Sequence, residues 1–569
     1  MQHLKVSATV AASLAVLVSC SSAPTGNYPV AARERGILAA CLPNEVADRQ
    51  APLLGSASPQ QRLKLALQLP LRNQDELTQL LRDLYDPSSP SFHKYLTVSE
   101  FTERFAPTAA DYKKVVAWAK KKGFSVNATT PNRRLVAVEG SVETINRAFS
   151  VSVNNYRHPR QGHSFYSPDR EPTAVGLTVP LLQVTGLSNS QPPHPMLQRG
   201  KPAYATGSGP TGEYLPSDMR AAYYGKGPLT GAGQTIGILS FDGYLASDVR
   251  LYYSKTGMRS SVPIKNVLVA GFNGACTTVG STGNSDCDDG EQVLDIVNAI
   301  GMAPGIKQIL FYEGSSDTEI LNQMATDNTA KVLSSSWGWN PGDAASDDPI
   351  FQEFAAQGQS FVSASGDSGA YDSTTYSFPG VDPYVIQVGG TVLTTTGPGG
   401  AWSGETAWPQ SGGGYVDGTP IPSWQQLSGV VNASNLASTT LRNSPDVAAE
   451  ANFDNPTVVN GSFVTGYGGT SFATPRWAGF LALVNQQSVA NGRGTVGFIN
   501  PTIYNVGRSL SYSSAFHDIT SGSNPPASGS GAGFSAAPGY DLVTGWGSPA
   551  GASLIALLAG SGAKGSGAK

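Results

Sequence analysis

Four short apolar runs, Thr235–Ser240, Gln308–Tyr312, Lys331–Ser335 and Ser360–Ala364, read as strands buried on both faces. Stretches of helical spacing, Gln292–Ile300, Glu319–Thr326 and Pro349–Ala356, fall between them. A strand that is apolar on both sides needs a layer on each side, and the alternating helices supply those layers. The expected fold is therefore α/β, a mostly parallel sheet flanked by helices, over residues 214–558. In such sheets ligands gather at the carboxyl ends of the strands. The chain has 569 residues, too many for one typical core, so a second unit is expected. Its formal charge is only −4, and no basic stripe interleaved with aromatics occurs, which argues against nucleic acid as a partner. The short run Lys120-Lys121-Lys122 reads as a solvated helix face.

Inside the α/β region, Gly468-Gly469-Thr470-Ser471-Phe472-Ala473-Thr474-Pro475 delivers a hydroxyl from a flexible turn into an apolar, helix-compatible run, Trp477–Val484. Glycine permits the tight backbone, and proline is tolerated in a first helical turn. A nucleophile there meets backbone N–H groups and the positive end of the helix dipole. Gly-Thr-Ser alone is a common turn, but the whole run resembles the serine motif of the subtilisin-like clan. A serine needs a base. The histidines are His3, His93, His158, His163, His194 and His517, and only His517 lies on Ser471's side of a Pro/Gly-rich linker at 188–213. Its setting, Phe516-His517-Asp518, reads better as something other than a base, so the base is expected to be acidic.

Glu291 and Asp295, at i and i+4 on the helix beginning after Gly290, emerge on one face. An isolated pair of this kind is usually two solvated acids. Here Val293, Leu294, Ile296 and Val297 make the helix largely buried, and a like-charged pair is costly unless one member holds a proton. Such a dyad can take and return the proton of Ser471. Its titration belongs to the pair, and an acidic working pH is expected. Residue types, order and surrounding motifs match the Glu/Asp/Ser triad of the sedolisins, the serine-carboxyl peptidases, which this chain resembles from about 50 to 558. The resemblance assigns Asp367, in Ala364-Ser365-Gly366-Asp367-Ser368-Gly369, to the oxyanion hole, where a protonated carboxyl donates. It assigns Ser335, Trp337 and Gly338 to substrate binding. At Ser240 several relatives carry a Glu that extends the triad, and that outer link is absent here. The resemblance also implies a calcium loop with Asp518 and Asp541 as carboxylates and Ile519, Ala537 and Gly539 as carbonyl donors.

The N-terminal third reads differently. Arg62–Leu69 and Arg134–Glu139 alternate like half-buried strands. Asp75–Tyr85, Ala109–Lys122 (stopped by Gly123) and Val142–Ala148 read as helices, and a strand is expected at Phe149–Val153. This pattern predicts an α+β, ferredoxin-like unit over 49–187. Pro90–Thr97 and Phe101–Pro107 resemble the activation domain of the sedolisins, a pro-domain that covers the active site. Residues 188–213 read as an exposed linker holding the maturation cut. Lys5, the apolar Val6–Val18 and Leu17-Val18-Ser19-Cys20 resemble a lipoprotein signal over 1–20, with lipid on Cys20 and a tether at 21–48. Cys276 and Cys287 bracket a loop that a disulfide can close in an oxidising compartment. Residues 559–569 read as a disordered tail.

Together these features predict a secreted, acid-acting serine-carboxyl endopeptidase made as a zymogen. It is expected to be monomeric, anchored by lipid at a bacterial outer membrane or surface, to cut proteins or peptides, and to carry its pro-domain in cis and calcium. Endo- versus tripeptidyl action stays open. The rival readings are a glycosidase acid pair, disfavoured by the lack of sugar-stacking aromatics, and a catalytically inactive surface binding protein of the same fold.

Overall fold

The computed structural model describes residues 42–203, 206–276, 288–339, 344–372, 376–529 and 531–560. The readings on the leader, Cys20, Cys287 and residues 561–569 fall outside them. Cys276 is disulfide-bonded.

In the N-terminal unit the strands Arg62–Gln68, Ser125–Thr129, Leu135–Ser141 and Gln183–Thr185 form an antiparallel sheet. Its spatial order is second, third, first, fourth strand of the chain. That order, with helices in the two crossovers, is the ferredoxin-like arrangement. Leu65, Leu67 and Val138 of the sheet share a core with Val115 and Trp118 of the helix Ala109–Lys122 and Ile145 and Phe149 of the helix Val142–Phe149. Gly123, at φ 97°, ends the first of these helices in the left-handed region that suits glycine. Two local expectations fail. Phe149 stays in its helix, its ring buried, and the next strand is Val153–Arg157. Val98–Phe105 is a helix not assigned from the sequence, started by a reciprocal Thr97/Glu100 capping box.

The C-terminal unit is built on an eight-stranded sheet: β1 (Thr235–Ser240), β2 (Ile264–Leu268), β3 (Gln308–Glu313), β4 (Val332–Ser335), β5 (Ser360–Ala364), β6 (Ile386–Thr395), β7 (Trp402–Ala407) and β8 (Val447–Glu450). The order is β2-β3-β1-β4-β5-β6-β7, with β8 also paired to β6, and every pairing is parallel except β6–β7. β1, β4 and β5 are buried along their whole length, as strands covered on both faces must be.

Two buried helices, Gly290–Met302 and Thr470–Ala490, carry the candidate catalytic side chains. They cross closely because Gly479 has no side chain: a Cβ there would lie 2.6 Å from Met302 Cβ and 2.8 Å from the Ala299 carbonyl oxygen. Arg476, 1 % exposed, fixes the crossing. Its guanidinium donates to Asn298 Oδ1 (3.0 Å) on the facing helix, to the Glu450 carbonyl (2.6 Å) at the end of β8, and to Asn455 Oδ1 (2.6 Å). Thr457 Oγ1 donates to the Gly290 carbonyl (3.0 Å) and anchors the start of the first helix.

The two units are joined by buried polar contacts. Arg134 and Glu353 face each other at 3.5 Å with side chains 3 % and 0 % exposed, and the Asn132 amide donates to Glu353 and to Asn322. Burial outweighs the pairing at both ends, lowering the Arg134 pKa and raising that of Glu353. Tyr85 Oη donates to the Ala355 carbonyl (2.6 Å) and accepts from Phe498 N (3.0 Å). No described helix is long and apolar enough to cross a membrane.

Candidate active site

Ser471 stands in the first turn of the helix Thr470–Ala490, with Gly469 before it at φ 142°. The glycine is required sterically as well as conformationally. A Cβ there would collide with the Met196 carbonyl oxygen and lie 2.6 Å from Asp367 Oδ2. Pro475 lies inside the helix and has no N–H for the Ser471 carbonyl. That carbonyl accepts instead from Ser336 Oγ at 3.3 Å.

The hydroxyl of Ser471 lies 3.0 Å from Glu291 Oε2, the two side chains coming from the two crossing helices. One turn further along, Asp295 Oδ1 accepts from Ser336 Oγ at 2.6 Å. Glu291 and Asp295 are 2 % and 1 % exposed, and Glu291 Oε1 has no hydrogen-bond partner among the described residues. Burial pushes both carboxyls well up, and the charge of Asp295 raises Glu291 further. The pair therefore keeps a proton where ordinary carboxyls have lost theirs, and the other oxygens stay available as acceptors.

Asp367 approaches from the loop after β5. Its Oδ1 accepts from Thr470 N and Thr470 Oγ1, each at 2.8 Å, while Oδ2 is buried with no partner among the described residues. Burial raises this carboxyl to about 7. In acid it is neutral, and the free oxygen can then donate a hydrogen bond.

Of the residues expected to bind substrate, Trp337 and Gly338 form a two-residue strand, and Trp337 also lines a cavity of about 200 Å³ with Glu291 and Gln292. Ser335 is buried at the end of β4, and its hydroxyl accepts from Trp337 N at 3.3 Å, which shapes the local turn. The backbone acceptor facing the cleft is Ser336, not singled out from sequence. Its carbonyl accepts from Met196 N at 2.9 Å. Thr470, which orients Asp367, also emerges only here. Within the 188–213 linker His194, Arg199, Lys201 and Pro202 are exposed as expected, but Met196 is 6 % exposed and residues around it pair with strands on both sides of Ser471. An antiparallel segment satisfies its buried amides in the cleft better than free in solution with an apolar side chain exposed.

His517 stacks on Trp402 with centroids 4.0 Å apart, and burial lowers its pKa to about 4. It pairs in a short strand with Ser548–Pro549, while the side-chain partner of the Ser471 hydroxyl is the Glu291 carboxyl. Near His517, Asp541 accepts from the backbone N–H groups of Ala537 (3.1 Å), Val543 (2.8 Å) and Thr544 (2.8 Å), and Asp518 accepts from Gly539 N (3.2 Å). Burial raises Asp541 to about 7 and Asp518 in the same direction. Ile519 is buried at 1 %. The described residues contain no group of three or more His, Cys, Asp or Glu that could hold a metal. The two acids converge on one stretch of backbone, 537–539, whose carbonyls would have to complete any coordination shell.

Known proteins are similar to this chain in sequence and fold. A model of the pro-kumamolisin activation domain matches residues 49–187, and one of the subtilase family matches 271–496. Xanthomonalisin of Xanthomonas sp. (strain T-22) is 32% identical over 565 residues, covering 85% of this chain and 64% of that protein. The chain thus spans just under two thirds of that relative. Sedolisin of Pseudomonas sp. (strain 101) is 31% identical over 546 residues, covering 89% of each. A solved structure of Pseudomonas sedolisin, a serine-carboxyl proteinase complexed with two molecules of pseudo-iodotyrostatin, superposes with a TM-score of 0.50 at 32% identity. It covers 62% of this chain and 98% of that one.

The raised carboxyls set the pH dependence of stability. Asp367, Glu313, Glu319 and Asp348 all sit at about 7, against ordinary values of 3.8 to 4.5. A raised folded pKa gives stability that is complete below the unfolded value and lost as pH rises through the folded one. Calorimetry is expected to find the thermal midpoint highest near pH ~4 and lower by at least ~5 °C at pH ~8. A midpoint that rises across this range would contradict the neutral state of these groups.

Proposed function

Because this chain belongs to the sedolisin family of serine-type peptidases and carries that family's activation domain, we propose that it is an acid-acting endopeptidase made as a zymogen. The observation that carries the reading is the Ser471 hydroxyl at 3.0 Å from a buried carboxyl that is itself paired with a second, where a Ser-His-Asp triad would have imidazole. Ser471 Oγ attacks the peptide carbonyl carbon, and its proton passes to Glu291, with Asp295, oriented by Ser336, sharing the charge. The tetrahedral oxyanion is held by Ser471 N–H and the neutral Asp367 carboxyl, which costs no reorganisation in a dry site. The C–N bond breaks as the dyad returns the proton to the leaving nitrogen. Water then cleaves the ester by the same steps reversed. Trp337 and Gly338, with the Ser336 carbonyl, pair with the substrate backbone. Activity is expected to fall as pH rises through about 7, where Asp367 ionises, and at low pH, where the dyad holds two protons.

Export and a lipid anchor on Cys20 at the cell surface or outer membrane belong to the same reading, supported by the Val6–Val18 run and the lipobox-like Leu17–Cys20. The enzyme is taken as a monomer acting on unfolded protein or peptides. Calcium, held by Asp518, Asp541 and the carbonyls of Ile519, Ala537 and Gly539, would neutralise the buried Asp541 and the exposed Asp518 and tie the 518–541 loop.

Ser471→Ala is expected to lose at least ~10⁴-fold in kcat on unfolded protein in acid. Asp367→Ala is expected to lose about 10²–10³-fold, with Asp367→Asn, a permanent donor, retaining more. Equal activity in Ser471→Ala would place the chemistry elsewhere, and inactivity of wild type at every acid pH would favour the binding-protein reading. Excess calcium is expected to stabilise the chain by about 2.7 kcal/mol at 100-fold over its Kd, read as a midpoint shift that Asp541→Asn abolishes. A shift that persists in Asp541→Asn would remove the loop from the account. Cys20→Ser should move the protein from the membrane fraction to the medium; an unchanged distribution would rule out the anchor.

A further inference from the structure

The cleft around Ser471 is filled by the chain's own residues 194–200. His194–Pro195 pairs antiparallel with Trp337–Gly338, and Met196 N donates to the Ser336 carbonyl at 2.9 Å. On the other side of the serine, Gln198–Arg199 pairs antiparallel with Tyr467–Gly468, and Gly200 N donates to the Gly466 carbonyl at 2.9 Å. Gln198 Nε2 adds a bond to the Asp367 carbonyl oxygen at 2.7 Å. Between the two pairings the Met196 carbonyl lies directly against the nucleophile. Its oxygen accepts from Ser471 N at 3.3 Å and touches Ser471 Oγ. It occupies the oxyanion position, beside the free oxygen of Asp367.

We propose that Met196–Leu197 is the first bond this chain cuts, in its own molecule, and that the pocket holding Met196 sets a preference for long, unbranched apolar side chains on the acyl side of the bond. This deepens the peptidase reading and rests on it. The pocket receives the tip of the Met196 side chain because Gly338 has none: a Cβ there would collide with Met196 Cε, whereas one on Gly366 would make only ordinary contact with Sδ at 3.9 Å. A long unbranched side chain reaches this space, and one branched at Cβ is too short to fill it. Leu197 and Arg199 line the cavity of about 200 Å³ that also opens on Glu291. Departure of the Leu197 end therefore vacates the space next to the dyad, through which water reaches the acyl-enzyme.

The step balances within the molecule plus one water. Ser471 Oγ bonds to the Met196 carbonyl carbon and its proton goes to the Glu291/Asp295 pair. The Met196–Leu197 C–N bond breaks, and the proton goes to the Leu197 nitrogen, now a new amino terminus. Water adds to the ester carbon, gives a proton to the pair, and Ser471 leaves with a proton, so that Met196 ends as a carboxylic acid. Since both strands of the cleft already hold the segment, no second molecule is needed and the rate is first order.

The test acidifies the full-length chain to about pH 4, where Asp367 is neutral, and sequences the earliest new amino terminus at several protein concentrations. Hydrolysis of an added unfolded protein is followed in parallel. The expected result is a terminus at Leu197, a half-time independent of concentration, no cut in Ser471→Ala, and at least ~10-fold slower cutting of this bond in Met196→Ile. An earliest terminus elsewhere, or a rate that rises with concentration, overturns the proposal while hydrolysis of the added protein leaves the peptidase reading standing. Undiminished cutting in Met196→Ile overturns the pocket preference. No new terminus together with no hydrolysis overturns both.

Discussion

The close crossing of two buried helices is the constraint on which this molecule turns. Gly479 lets the serine helix sit against Ala299 and Met302, and Arg476 reaches across to Asn298, about one and two turns beyond Asp295 and Glu291. This contact carries a hydroxyl on one helix to within hydrogen-bond distance of a carboxyl on the other. Ionising two carboxyls side by side in such a place is expensive, because each loses solvent and each repels the other. Retaining one proton removes most of that cost. The same burial lets the pair hold and share a proton; on the proposed reading its ionised member takes the proton of Ser471 and a neutral Asp367 donates to the oxyanion.

Occupation of the cleft by residues 194–200 links this chemistry to the N-terminal unit. The unit is held by a buried Arg134–Glu353 contact and by Tyr85, whose hydroxyl bridges Ala355 and Phe498. Docking and cleft occupation are thus parts of one continuous chain path: the ferredoxin-like unit sits on the flank, and its outgoing strand lies across Ser471. A free substrate has to compete with a tethered one until that strand is severed.

Much of this was readable from residue order. The parallel sheet could be inferred from strands apolar on both faces, and the i, i+4 spacing put Glu291 and Asp295 on one helical face. Ser471 was marked by the Gly-Gly turn and the later proline. What escaped were features that depend on register and on distance in space. Three consecutive serines, Ser334 to Ser336, look alike in sequence, yet only the last turns its hydroxyl to Asp295 and its carbonyl to the cleft, because β4 ends at Ser335. Gly479 and Arg476 read as ordinary members of an apolar helix, and only the facing helix gives them a purpose. The linker's proline and glycine content suggested exposure, but its short strands find partners in both walls of the cleft. Val98–Phe105 escaped too, although Val98, Phe101 and Phe105 fall on one helical face, because the run is only eight residues long.

The central claim, an acyl-transfer serine served by two acids and a neutral Asp367, is tested most directly by the pH dependence of affinity for a peptide aldehyde that adds reversibly to Ser471. The hemiacetal oxygen occupies the oxyanion position, so it binds best when Asp367 donates. The account predicts tightest binding in acid and progressive weakening as pH rises through about 7. Affinity that instead increases through that range, as an imidazole losing its proton would produce, would contradict it.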